Sequence, residues 1–281
     1  MTRALVLGGG GVAGIAWELG VLAGLAAEGV DLTNADVLVG TSAGAAVAAQ
    51  VTSGTPLEDL FARQCTPPEQ SGELAADLDI ELLGRMFLGA LKSATSAQGV
   101  RAAIGRAAID APTVPEAARR AVIEHRLPSH EWPSGRDVRI VAADAETGAV
   151  CVFRGDDGVS VVDAVAASCA VPGVWPPVTI DGRRYIDGGV RSSTNADFAE
   201  GCDVIVVLAP VVDIPAVADP EALARIDKLD EAARVLVLRP DPASEAAIGT
   251  NPLDPATRHP SVLAGRAQGQ AVADEVRSIW H

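Results

Sequence analysis

The chain has 281 residues, enough to bury a sizeable core; 48% of them are hydrophobic but only 3% aromatic, so Ala, Val, Leu and Ile must fill the interior. That composition suits helices packed on a parallel sheet. Thirty-seven acidic against 22 basic residues give a formal net charge of −15, which repels a phosphate backbone and excludes nucleic acid as a partner.

The first ten residues, MTRALVLGGG, lack the long apolar region and cleavage site of a signal peptide. No apolar run approaches the ~18 residues of a membrane helix. The expectation is a cytoplasmic protein with at most transient, peripheral contact with a membrane surface. In chain order, RALVLG (3–8) reads as a buried strand and GIAWELGVLAGLAAEG (14–29) as a helix stopped by Gly29. DVLVG (36–40) is a second strand and AGAAVAAQVTSG a helix closing at Gly54. Residues 55 to about 130 form a helical insertion, with a helix over 73–94 carrying Leu78, Leu82, Met86 and Leu91, and another over 114–127. Two readings stand side by side: helices covering one face of the sheet, or a cap over an active site. Strands return in 136–154, a helix spans 160–170, and residues 171–190 read as a proline-rich bend and a hairpin. Strands at 203–210 and 234–240 flank a helix, and 254–280 reads as one C-terminal helix. One domain with an inserted helical section is the economical organisation.

Cys65, Cys151, Cys169 and Cys202 are scattered, with no C-x-x-C pair and no histidine at ligand spacing. They read as free thiols, so no metal and no cofactor is implied. The chemistry concentrates in three places. GTSAG (40–44) follows a buried strand and opens a helix, the setting in which G-x-S-x-G exposes a nucleophilic serine, here Ser42. Gly9, Gly11 and Gly14 match G-x-G-x-x-G, which serves a dinucleotide or, through backbone N–H groups at a helix N-terminus, an oxyanion. Asp187, in YIDGG, is either a carboxylate that accepts the Ser42 proton or part of an Asp-Gly turn; spacing alone does not choose. Of His125, His130, His259 and His281, only His259 has a late-chain position suited to a triad, and beside Pro260 it reads as a surface residue.

Taken together, GGGVAG (9–14), GTSAG (40–44) and ASCAVPGVWPPVTIDGRRYIDGG (167–189) resemble the patatin-like phospholipase family of lipid acyl hydrolases. AADAETGAVCVF (142–153) and the Asn-Ala-Asp after the D-G-G also look like family features; the last seventy residues add little. The resemblance implies a three-layer α/β/α fold with a central, mostly parallel sheet. It implies that Ser42 is the nucleophile, that Asp187 is its base, and that Gly9, Gly10 and Gly11 form the oxyanion hole. The reaction expected is hydrolysis of lipid or lysolipid acyl esters through an acyl-serine. One departure is Ala13, where family members often carry Arg or Lys; with the charge of −15 it favours neutral esters or lysolipids over anionic phospholipids. The competing expectations are a dinucleotide-binding protein using Gly9, Gly11 and Gly14, and a catalytically silent lipid-binding member.

Overall fold

Short apolar runs rich in Val, Ile and Leu make strands, because β-branched and apolar residues fill a sheet buried on both faces. In the computed structural model, which describes residues 1–76, 80–213 and 218–281, these runs become β1 (Arg3–Leu7), β2 (Val37–Thr41), β3 (Asp137–Asp144), β4 (Val150–Phe153), β5 (Val178–Ile180), β6 (Arg183–Asp187), β7 (Val204–Leu208) and β8 (Arg234–Leu238). They form an 8-stranded sheet in the order β5-β6-β3-β2-β1-β7-β8, with β4 pairing β3. The pairings among β3, β2, β1, β7 and β8 are parallel, while β4, β6 and β5 add an antiparallel margin.

The period of two along each strand sorts the core into two layers. Leu5, Leu7, Leu38, Ile140 and Val206 pack under α1 (Gly11–Ala27) and α2 (Ala43–Val51). Ala4, Val6, Val39, Val141 and Val207 face the opposite way, toward Ala196 and Ala199. The result is helix, sheet, helix. The insertion divides between the layers: α3 (Leu57–Gln64) places Phe61 against Ala16 and Ala23 of α1, while α4 (Ile80–Ser93) and α5 (Ala97–Asp110) pack on Ala143 and Ile186. The next helix, α6 (Glu116–Arg126), returns to the first layer, with Ile123 in its core beside α7 (Val161–Ser168).

Three predicted helices differ from those observed. Residues Glu73 to Ala76 are not helical, since Glu73 is drawn onto Arg126 with bonds of 2.7 and 3.0 Å; Leu78 lies outside the described residues. The helix between β7 and β8 is two, α8 (Pro220–Ile226) and α9 (Leu229–Ala232). The helix expected over 254–280 is two, α11 (Arg258–Ala271) and α12 (Ala273–Trp280), and α10 (Pro242–Ile248) precedes them. The break at Val272 lets Trp280 bury completely, with Nε1 donating to the Asp31 carbonyl at 3.1 Å.

α11 also makes the most intimate helix contact of the molecule. Gly20 and Gly24 of α1 meet Gly265 and Gly269 of α11 so closely that a Cβ on any of the four would strike a backbone carbonyl of the other helix. Four-residue spacing puts each glycine pair on one helix face, which is what permits the approach.

Candidate active site

Strand register brings the two candidate side chains together. Thr41, the last residue of β2, pairs with Val141, and Asp187, the last residue of β6, pairs with Ala142. Ser42 and Asp187 therefore leave the sheet at one level, on either side of β3. The backbone at Gly188 passes so close to the Val141 carbonyl that no side chain fits there. The second glycine of the motif turns the chain: the Gly189 amide donates to Asp187 Oδ1 at 2.7 Å.

Ser42 has φ 54° and ψ −113°, a conformation unfavourable for any residue with a Cβ and costing on the order of 1–3 kcal/mol. Gly44 lets the turn pack against β1, since a Cβ there would strike the Leu7 carbonyl. Two residues at the end of α7 hold the elbow. The Ser42 amide donates to Ser168 Oγ at 2.9 Å, and Ser168 donates in turn to the Val141 carbonyl at 2.6 Å. The Cys169 thiol donates to the Ser42 carbonyl at 3.1 Å. Sequence reading quoted this A-S-C-A segment without giving it a task. All four cysteines are unpaired, but Cys169 is part of the site's frame.

Asp187 is buried, and burial raises its carboxyl pKa to about 6 against the pull of the nearby Ser42 hydroxyl and the Gly189 amide. Its Oδ2 is enclosed without a partner at hydrogen-bonding geometry. A buried Asn195, in the left-handed region at φ 49°, ties the two loops together: its amide nitrogen reaches Thr41 Oγ1 at 3.1 Å and the Gly188 carbonyl at 3.2 Å. Arg191 fixes Asn195 Oδ1 at 2.8 Å and is itself held by Asp197. Sequence reading named this Asn-Ala-Asp only as a likeness; an asparagine after D-G-G is the signal that pointed to it.

The glycine loop separates by the use of its amides. Gly9 donates to the Ser193 carbonyl at 2.8 Å, so its N–H is spent on the fold. Among the described residues, the Gly10 and Gly11 amides have no partner within the chain. They open α1, whose N-terminal end carries partial positive charge. Behind them the Gly8 amide donates to Glu18 Oε1 at 2.8 Å, and the Gly8 carbonyl accepts from Gly44 at 2.9 Å. Glu18 is fully buried, and burial holds its carboxyl pKa well above the ordinary range. Ala13 is also fully buried in the core.

The acids expected of a dinucleotide site lie at the other end of the sheet. Asp36 Oδ2 accepts from the Arg3 amide at 2.8 Å, where β1 and β2 begin, whereas Gly9, Gly11 and Gly14 follow the end of β1. His125, His130, His259 and His281 are all exposed, and none lines the cavity that Ser42 shares with Asp187. That cavity measures about 260 Å³ and has Gly9 and Gly10 on its wall, with Leu83, Phe87, Val190 and Val212 giving it an apolar surface.

A mostly parallel sheet between helical layers, with Ser42 on a tight turn after its second strand, defines a three-layer α/β/α protein. A model of the patatin-like phospholipase family matches residues 5–200, and the chain belongs to that family, whose members are lipid acyl hydrolases. Among solved structures, VipD from Legionella pneumophila is similar at a TM-score of 0.47 and 15% identity, covering 98% of this chain and 67% of that one. The type III effector protein ExoU is similar at 0.36 and 15%, covering 96% of this chain and 53% of its own. Among the described residues, no helix is long and apolar enough to cross a membrane.

Proposed function

We propose that this chain hydrolyses acyl esters of lipids or lysolipids through a Ser42–Asp187 dyad, within one patatin-like domain that spans 1–281. In this reading Asp187 Oδ2 takes the proton from Ser42 Oγ as the oxygen attacks the ester carbonyl. The tetrahedral oxyanion is held by the Gly10 and Gly11 amides. Collapse breaks the ester C–O bond, and the protonated Asp187 returns the proton to the leaving alcohol. Water, deprotonated by Asp187, then attacks the acyl-serine; the fatty acid leaves and Ser42 regains its proton.

The observation that carries this reading is a strained serine fixed beside a buried carboxylate whose outer oxygen has no partner. A pKa of about 6 leaves Asp187 ionised at neutral pH yet basic enough to accept a proton. The apolar cavity fits an acyl chain. Its rim supports brief contact with a lipid surface, since Val212 is 66% exposed and Leu88, on the helix that supplies Leu83 and Phe87, is 59% exposed. The test is hydrolysis of a p-nitrophenyl acyl ester, together with mass spectrometry after treatment with a serine-directed phosphonate. Ser42→Ala is expected to lose about a thousandfold or more in kcat and all labelling. A folded Ser42→Ala protein with wild-type turnover removes Ser42 from the reaction, and a folded protein that neither turns over nor labels is the silent lipid-binding member.

A further inference from the structure

On the side of Ser42 away from the acyl cavity, the walls change character. A small cavity lined by Gly11, Ser42, Arg119, Arg126, Cys169 and Trp175 adjoins a larger one of about 70 Å³, the two sharing Val12, Ile15 and Arg126. The larger cavity lies where α2, α3 and α6 end and α11 begins. Arg63, Arg126 and Arg258 line it, together with His125 and several uncharged polar side chains, and Glu73 is its one carboxylate among the described residues.

The arginines are not fully used by the fold. Arg126 pairs with Glu73 through two bonds, both side chains nearly enclosed. Arg258 is only 6% exposed; it donates to Gln64 Oε1 at 3.1 Å and to the Arg63 carbonyl at 2.6 Å, but its Nη1 is enclosed without a partner. Arg63 donates to the His125 carbonyl at 3.0 Å. In the adjoining cavity Arg119, equally buried, stacks at 3.8 Å over Trp175 and leaves its Nε without a partner. Three guanidinium groups facing one carboxylate leave two positive charges. Three helix C-termini and one N-terminus, at about half a charge each, offset roughly one of them. An unbalanced buried charge in a chain of net −15 is costly unless a ligand meets it.

We propose that this cavity is a binding site for a phosphate-class oxyanion, held by Arg63, Arg126 and Arg258. Planar guanidinium forks match phosphate oxygens two at a time, and the unpartnered Nη1 of Arg258 supplies a donor already freed of water. Burial lowers the Arg258 pKa against the pull of Glu73, and Arg126 and Arg63 add repulsion that an anion between them offsets. Arg258 lies beyond the residues that the family model matches while Arg63 and Arg126 lie within them, so the site joins the matched segment to the C-terminal part. It also touches the elbow: Arg126 Nη1 reaches Cys169 Sγ at 4.0 Å, and that thiol holds the Ser42 carbonyl. Two sources share this chemistry, the phosphate of a lipid headgroup and free inorganic phosphate. The first rests on the hydrolase reading and the second does not.

The test begins with calorimetric titration of inorganic phosphate into Ser42→Ala protein, so that its outcome is independent of turnover. One saturable site is expected, weakened about tenfold or more by adding Arg258→Met and likewise by adding Arg63→Gln. Arg63 makes a single bond across the cavity and keeps the test valid if Arg258→Met fails to fold. Absence of saturable binding, or equal affinity in folded variants, overturns the proposal. The sources are then separated by kinetics on lysophosphatidylcholine and on a monoacylglycerol of the same chain length. If the headgroup is the ligand, Arg63→Gln raises KM for the phosphate ester alone, and phosphate competes with that substrate alone. If free phosphate is the ligand, its addition changes both rates alike and Arg63→Gln removes the response.

Discussion

The two sides of Ser42 are built from opposite materials. Toward Asp187 the wall is Leu83, Phe87, Val190 and Val212, a surface that gains by excluding water from a hydrocarbon chain. Toward α6 and α11 it is arginine, glutamate and glutamine, a surface that is stable only when its charges are met. An ester joining an acyl chain to a polar alcohol has the same two-sidedness. Ser42 stands where the materials change, so under the proposed hydrolase reading the apolar side bears on chain length, and the charged side bears on the alcohol only if a headgroup is its ligand.

The sharpest break of this arrangement is Asp187→Asn. It keeps the shape of the apolar side but removes the base, and kcat is expected to fall about a thousandfold or more while the fold persists. The same change gives a stability readout of opposite sign. Burial raises the folded pKa of Asp187 from 3.8 to about 6, so the folded state holds the proton more tightly than the unfolded one. Stability is therefore lost as pH rises between about 4 and 6, by on the order of 3 kcal/mol for this group, and Asp187→Asn should flatten that slope in thermal melts. Equal slopes in the two proteins would contradict the burial argument.

Gly10→Ala comes next. Its Cβ would lie 2.7 Å from a Pro210 side-chain atom, so the loop must shift and misplace the free amides. A loss of about a hundredfold in kcat, with little change in KM, is the expected result. Phe87→Ala sharpens the comparison: KM for long acyl esters should rise about tenfold or less, that for acetyl esters should stay, and phosphate titration should be untouched. The smallest effect is the pH profile itself, with kcat/KM climbing to a plateau through a midpoint near pH 6. A midpoint that Asp187→Asn leaves in place would assign it to another group.

Much of this was legible in the sequence, for a local reason. Ser42, Asp187 and the glycine loop each lie where a strand ends, and these three strand ends are marked by glycine. The short continuous apolar runs likewise predict the buried strands, and the resemblance carried by the motifs implies the three-layer fold. The rest depends on partners far apart in the chain. Nothing near Gly9 shows that its amide is taken by Ser193, and nothing near residue 73 shows that Arg126 will draw Glu73 out of a helix. Val272 carries no breaker, and the helix ends there because Trp280 must reach the core. The charged cavity escaped for the same reason, since Arg63, Arg126 and Arg258 come from three separate helices.

The glycine-lined seam between α1 and α11 sets the order in which the molecule can assemble. Trp17 Nε1 donates to Gln268 Oε1 across 251 residues, and the glycine loop sits at the head of the helix that waits for this contact. During synthesis the notched face of α1 stays open until α11 has been made, so closure is a late, long-range step with a large entropic cost. A nascent chain bearing the whole family-matched segment still has an unclosed first layer, since the face of α1 that α11 covers is complete only when the last helices arrive.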